Sequence, residues 1–381
     1  MKKFFLASIA VMILFSLALV FVALPLYISH VYPSQVHLTS EEFNSSQPLY
    51  IPHGKLLSQR TNQENLVGED DQRYVELKLF GFIPVKRIKV ELLPFEEVIP
   101  GGELIGFLAK VDGVLVTADA PEHNLKKGDI IKRLGGNDVS CLDDFNAVIT
   151  KSVGTSLDAI VKRKDKTVQT KINVKMPLGI WLKDETSGIG TMTYINPQNN
   201  NFASLGHQLN DYETAVHVDL RGGNLYGTNI LSVEKGDGKK IGTYKSSLRH
   251  TPQGDVLSSN DFGVFGCLYE RNMLVKDKEA LKVTSRYNVR PGKAKLRTTM
   301  DGEVREYDVE IIKTRFQKKP SIKSMVIRVT DKELLAKSGG IIHGMSGSPI
   351  IQNGRIVGAL THVVTGDNSK GWGIYIDFVV P

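Results

Sequence analysis

The segment Gly344-Met345-Ser346-Gly347-Ser348-Pro349 places a serine between glycines, and the apolar stretch Ile350-Ile351 follows at once. Asn353-Gly354 then separates that stretch from Arg355-Ile356-Val357-Gly358-Ala359-Leu360-Thr361-His362. Asn-Gly between apolar runs is a strong signal for a two-residue hairpin turn. The serine turn therefore feeds an antiparallel hairpin. A nucleophile elbow of the α/β-hydrolase kind needs glycine where Ser348 stands and a helix afterwards, so that chemistry is set aside. Serine is a poor nucleophile at its own pKa and needs a positioned base. The nearby candidates are His207, His217, His250, His343 and His362. His343 would have to double back to reach Ser346, and His217, between Val216 and Val218, suits a half-exposed strand. Carboxylates that could orient the base are Asp211, Asp219, Asp255, Asp261 and Asp331, and spacing does not choose among them. The nine histidines are dispersed, and Cys141 and Cys267 have no zinc-ligand spacing, so no metal or other cofactor is expected.

A Gly-x-Ser-Gly-Ser-Pro turn ahead of a hairpin resembles the nucleophile turn of chymotrypsin-like proteases. The resemblance implies that the backbone amides of Gly344 and Ser346 form an oxyanion hole, each donor worth ~3–4 kcal/mol of transition-state stabilisation. It implies that Gly371-Trp372-Gly373-Ile374-Tyr375-Ile376 is the last strand of a specificity pocket, and that His362 lies where the substrate channel runs. It also implies a base supplied by the first of two barrels, earlier in the chain than the serine. His207, which ends the apolar run Phe202-Ala203-Ser204-Leu205-Gly206, occupies that place.

The elements that must hold these residues follow from periodicity. Residues 176–381 are rich in short alternating runs broken by glycine, such as Ile189–Ile195, Glu303–Ile312 and Ser324–Val329, with helical spacing only near Asp331–Lys337. Such a texture predicts an all-β peptidase domain of two small barrels. Residues 98–175 form one compact α+β unit with a helix over Asp143–Lys151. The run Leu125-Lys126-Lys127-Gly128-Asp129-Ile130-Ile131 with Leu134 and Gly136 resembles the signature of a PDZ domain. That resemblance puts Leu104, Ile105, Gly106 and Phe107 at a carboxylate-binding loop, where a peptide docks by strand addition. Residues 32–97 read as an exposed polar linker, followed by two lead-in strands at 74–80 and 87–93. Residues 1–31 carry Lys2-Lys3 and then an uncharged stretch from Phe4 to Ser29, long enough to span a bilayer with the rest of the chain outside. Overall the fold class is mainly β. Composition, 41% hydrophobic and 23% charged, excludes collagen-like and broadly disordered chains. The net charge of +7 is scattered in small clusters without interleaved aromatics, which argues against a nucleic-acid groove.

Taken in order, Pro100-Gly101-Gly102, the PDZ-like unit, Gly188-Ile189-Gly190-Thr191-Met192-Thr193, Leu205-Gly206-His207, Asn260–Gly266 and Gly344–Pro349 resemble the SpoIVB (stage IV sporulation protein B) peptidase family of endospore-forming bacteria. That resemblance implies a catalytic triad of His207, Asp331 and Ser346, with the Thr361 hydroxyl bracing the acid. It implies signalling proteolysis between forespore and mother-cell membranes, directed at a membrane-bound regulator of sigma-factor processing and at the enzyme itself. The rival expectation is a membrane-tethered PDZ scaffold whose peptidase half is inactive.

Overall fold

The computed structural model describes residues 2–45, 57–61, 73–238, 240–269, 279–317 and 319–380. An apolar helix opens the chain: α1 (Lys2–Ala18), a π-helical turn (Leu19–Ala23) and α2 (Leu24–Val31). The π turn comes just before Pro25, which has no N–H to give to the helical ladder. Ser8–Val31 is long and apolar enough to cross a membrane. The Lys86 ammonium caps the far end of this helix by donating to the carbonyls of Ser29 and Tyr32, at 2.8 and 2.7 Å.

Four strands follow, with α3 (Ser40–Asn44) between the first two: β1 (Gln35–Leu38), β2 (Leu57–Thr61), β3 (Tyr74–Leu79) and β4 (Ile83–Leu92). They form one sheet in the order β1-β4-β3-β2. In β3 every second residue is buried, as its alternating letters predict. The expected exposed linker is corrected over residues 32–45; residues 46–56 and 62–72 lie outside the described set. Val36, Leu38 and Phe43 are buried. Thr39 and Glu42 make a reciprocal capping box, and Glu42 Oε1 also accepts from Thr284 Oγ1, the Ser285 amide and Asn288 Nδ2. Polar letters here satisfy buried donors instead of facing water.

The next elements are β5 (Glu97–Pro100), β6 (Leu104–Val116), β7 (Ile130–Leu134), β8 (Asn137–Asp138), α4 (Leu142–Thr150), β9 (Ser156–Arg163) and β10 (Lys166–Asn173). After them come β11 (Leu182–Ile195), β12 (Asn201–Ser204), β13 (Leu220–Glu234), β14 (Thr243–Asn260), β15 (Gly263–Leu268) and β16 (Leu281–Lys282). Pairings run β6-β13-β14-β15-β12-β11 and back to β6, a closed antiparallel circuit around Ile105, Phe107, Met192, Phe202, Leu225 and Val264. β6 is thus shared. Its first half belongs to this circuit, and its second half runs on into the α+β unit, which has its own core of Val116, Ile131, Phe145, Ile149 and Val161.

The expectation for Leu104–Phe107 therefore fails. These residues are paired on one edge with β11 and on the other with β13, so no free backbone remains for a peptide carboxylate. The edge of β6 inside the α+β unit is also covered by the chain itself. Leu182 and Lys183 pair with Val116 and Leu115, the Thr117 amide donates to Trp181 O, and Leu178 and Ile180 pack on the unit's core.

The last part holds β17 (Gly292–Met300), β18 (Glu303–Thr314), β19 (Met325–Val329), α5 (Lys332–Ser338), β20 (Pro349–Gln352), β21 (Arg355–Val364), β22 (Asp367–Tyr375) and α6 (Ile376–Val379). Six of these strands close a barrel in the order β17-β18-β19-β22-β21-β20. Asn353 and Gly354 both have positive φ, 51° and 72°, as the Asn-Gly pair predicts. Two six-stranded β circuits with the serine turn between them make the fold chymotrypsin-like.

Candidate active site

The serine turn leads into β20 and is held by the opposite barrel. Thr191 Oγ1 donates to Gly344 O at 2.7 Å, the Thr191 amide to Ser346 O at 2.8 Å, and Thr193 Oγ1 to Gly347 O at 2.8 Å. Thr191 and Thr193 share one face of β11 because strand side chains alternate. Gly347 sits at φ +97°, where a Cβ would collide with the Thr191 carbonyl oxygen, so no other residue fits without moving the seam. The amides of Gly344 and Ser346 have no protein acceptor among the described residues. They are free to meet an oxyanion.

His207 reaches the same seam from β12. Leu205 and Gly206 both adopt left-handed backbone, at φ +68° and +66°, and turn the chain out of the strand. For a branched residue like Leu205 this costs about 1–2 kcal/mol, which the surrounding packing must offset. His207 Nδ1 lies 2.8 Å from Gln208 O. A carbonyl only accepts, so Nδ1 carries the hydrogen and Nε2 presents its lone pair. Burial pushes the His207 pKa below the ordinary histidine value, only partly opposed by the Gln208 carbonyl. The ring stacks on His362, with centroids 4.7 Å apart and planes 40° from parallel. His362, although partly open to solvent, is pushed down to about 4 by desolvation first, then by His207 and Lys323. Both rings are neutral at pH 7.

Ser346 Oγ does not bond to His207. It donates to Thr361 O at 2.6 Å, and Thr361 is the residue before His362. The hydroxyl, the His207 ring and the two free amides therefore share one seam, with the hydroxyl turned toward β21.

The carboxylate implied by resemblance is elsewhere. Asp331 is the N-cap of α5: Oδ1 accepts from the Leu334 amide at 3.0 Å and Oδ2 from the Asp308 amide at 3.2 Å. It follows the end of β19, whereas Ser324, next to the start of β19, is bonded to Gly373 beside the site. At about 3.3 Å per residue, the strand alone separates the two by roughly 15 Å. The Thr361 hydroxyl braces no acid; it donates to Ile322 O and Trp372 O, at 2.8 and 3.1 Å. Nor do Asp211, Asp219 or Asp255 serve. Asp211 is buried, and although burial would raise its pKa, bonds from Lys183, Thr186 and Thr214 hold it below the usual range. Asp219 pairs with Lys162, and Asp255 with Tyr269. His217 Nδ1 bonds Leu209 O, and Ser346 Oγ bonds Thr361 O, so no hydrogen bond joins Ser346 to the ring of His217 or His343 among the described residues. Sequence reasoning passed over Thr191, Thr193 and the Gln208 carbonyl. The two-residue spacing of the threonines was the one available signal.

No group of three or more His, Cys, Asp or Glu among the described residues could hold a metal ion.

Two β circuits with a serine turn at their seam make a chymotrypsin-like fold. The family model described as SpoIVB peptidase S55 matches residues 174–380, and the chain belongs to that family of serine peptidases. Among solved structures, the active form of the Rv3671c protease from M. tuberculosis is similar at 14% identity over 61% of this chain and 80% of that chain, with a TM-score of 0.29. No curated protein matches the chain.

Proposed function

We propose that this peptidase is a membrane-anchored serine endopeptidase in which Ser346 attacks and His207 is the general base. The observation that carries this is the shared seam: a serine in a pinned glycine turn, two unused amides, and a histidine whose tautomer leaves Nε2 open. Rotation of the Ser346 side chain releases Thr361 O and turns Oγ toward Nε2. Nε2 takes the hydroxyl proton as Oγ bonds the scissile carbonyl carbon, and the amides of Gly344 and Ser346 donate hydrogen bonds to the oxyanion. The imidazolium then protonates the leaving amine as the C–N bond breaks. Water repeats the sequence on the acyl-enzyme. The Gln208 carbonyl holds the tautomer that an aspartate holds in other enzymes of this type. No cofactor enters.

The apolar N-terminal helix supports anchoring in the cytoplasmic membrane with the catalytic barrels outside. Family membership supports a role in sporulation signalling between forespore and mother-cell membranes. The substrates would be a membrane-bound regulator of sigma-factor processing and the enzyme's own N-terminal region. The α+β unit at about 111–183 would be a PDZ-like module whose strand edge is occupied in cis.

The test uses the full chain in detergent. Ser346→Ala should abolish self-shortening and labelling by a fluorophosphonate probe, with losses of several orders of magnitude, while thermal unfolding stays unchanged. Wild-type protein that neither labels nor cleaves would favour the inactive scaffold. Undiminished processing by the Ala variant would remove Ser346 from the chemistry.

A further inference from the structure

Two cations gather on one indole beside the seam. The Arg315 guanidinium carbon lies 4.8 Å from the centre of the Trp372 ring, and the Lys323 ammonium lies 5.7 Å from it. Both residues are exposed, and neither forms an ion pair with a described residue. Lys295, Arg297, Arg305, Arg328, Lys337 and Lys370 each have a carboxylate partner.

Their position ties them to the nucleophile. Thr361, whose carbonyl accepts from Ser346 Oγ, donates its hydroxyl to the carbonyls of Ile322 and Trp372, the residues next to and beneath Lys323 in this cluster. His362 pairs with Trp372 across β21 and β22 and stacks on His207. The charge of Lys323 is felt at His362, where it helps keep that ring neutral. The cluster thus adjoins the strand that carries Thr361 and His362.

We infer that Arg315 and Lys323 form a specificity site, with Trp372 as its floor, that binds an Asp or Glu side chain of the substrate close to the scissile bond. The indole holds both cations in place through their attraction to its face. A carboxylate would supply the ion pair that neither of these two cations makes with a described residue. Arg315 offers it a planar fork and Lys323 a point charge. An anionic membrane surface would also attract unpaired cations. The coupling of Lys323 to His362, inside the site, favours the peptide.

This inference rests on the serine-peptidase reading, and the experiment separates the two. The full chain in detergent is given a peptide library in which Glu or Gln occupies each position in turn, and products are read by mass spectrometry. Glu at one position should raise kcat/KM at least tenfold over Gln, through KM, with the advantage shrinking as salt rises. Lys323→Glu and Arg315→Glu should each invert the preference toward Lys at that same position, which misfolding cannot produce. Equal rates for Glu and Gln at every position, with peptides being cleaved, overturn the specificity site. So does an unchanged ratio in both variants accompanied by lost binding to phosphatidylglycerol vesicles, which would assign the cations to the membrane. No cleavage of any peptide and no fluorophosphonate labelling would instead overturn the peptidase reading itself.

Discussion

At the scale of single residues, the pattern around Ser346 was legible because each of its signals is local. Glycines that need positive φ and an Asn-Gly turn act over a few residues whatever the rest of the fold does. His207 is chosen as the base through chain order, and its stacking on His362 supports that proposal. Asp331 was not legible, because the same letter serves a catalytic acid and a helix cap, and here its two oxygens are spent on the Leu334 and Asp308 amides. Thr361 likewise spends its hydroxyl on two carbonyls. Two expected outcomes follow from these placements. Asp331→Asn should leave kcat/KM within a few-fold of wild type, since Asn caps a helix as well as Asp. A loss near 10⁴-fold, the scale of an amidated triad acid, would mean that Asp331 reaches His207 in the working enzyme. The second concerns pH. The base works in its neutral form, and desolvation lowers its pKa in the folded protein, so activity should persist through pH 6.5 and fall only at more acidic values. An acid limb in kcat/KM centred above pH 7 would contradict that environment for His207.

Among the elements, alternation and glycine punctuation disclosed the strands of the second barrel and the helix over Leu142–Thr150, because burial of one face imposes a period that the letters carry. The same signal misassigned Leu104–Phe107. An apolar run containing glycine reads alike as a loop beside a groove and as a barrel strand, and the partner that decides, β13, lies more than a hundred positions further on. The threonines of β11 show how one barrel supports the other's chemistry. Thr191→Val should leave Gly344 O buried without its donor, costing about 1–3 kcal/mol of stability. It should also loosen the turn that carries the oxyanion donors, lowering kcat more than it raises KM. Thr191→Ser keeps the hydroxyl and should restore both. A Val variant with unchanged kcat would reduce this contact to packing.

For the molecule as a whole, the unexpected feature is that the barrels are bound to the chain just beyond the apolar N-terminal helix. Its sequence is polar and was read as a tether, since cap and buried-acid roles cannot be told from solvated ones without the groups that meet them. Glu42 meets Thr284, Ser285 and Asn288, while Glu41 pairs with Lys282 and Arg355 at the surface. Val36, Leu38 and Phe43 add a buried apolar patch that continues through Tyr287 and Phe316 at the barrel. Full burial of such side chains stabilises by about 1.5–3 kcal/mol each, whereas exposed ion pairs like those of Glu41 give at most ~1 kcal/mol. Truncation should therefore divide sharply by position. A chain starting at residue 32 loses the apolar helix, with Ile28 and the Ser29 carbonyl that Lys86 meets, and its thermal midpoint should fall only slightly while peptide cleavage in solution is kept. A chain starting at residue 46 also loses four buried apolar side chains, Tyr32, Val36, Leu38 and Phe43, and the acceptor for three donors, a deficit of several kcal/mol. Its midpoint should fall by roughly 10 °C or more, at about 2–4 °C per kcal/mol for domains of this size. Adding a synthetic peptide of residues 32–45 should recover part of that loss, because whatever binds only the folded state stabilises it. Equal midpoints for the two truncations would return residues 32–45 to the role of a tether.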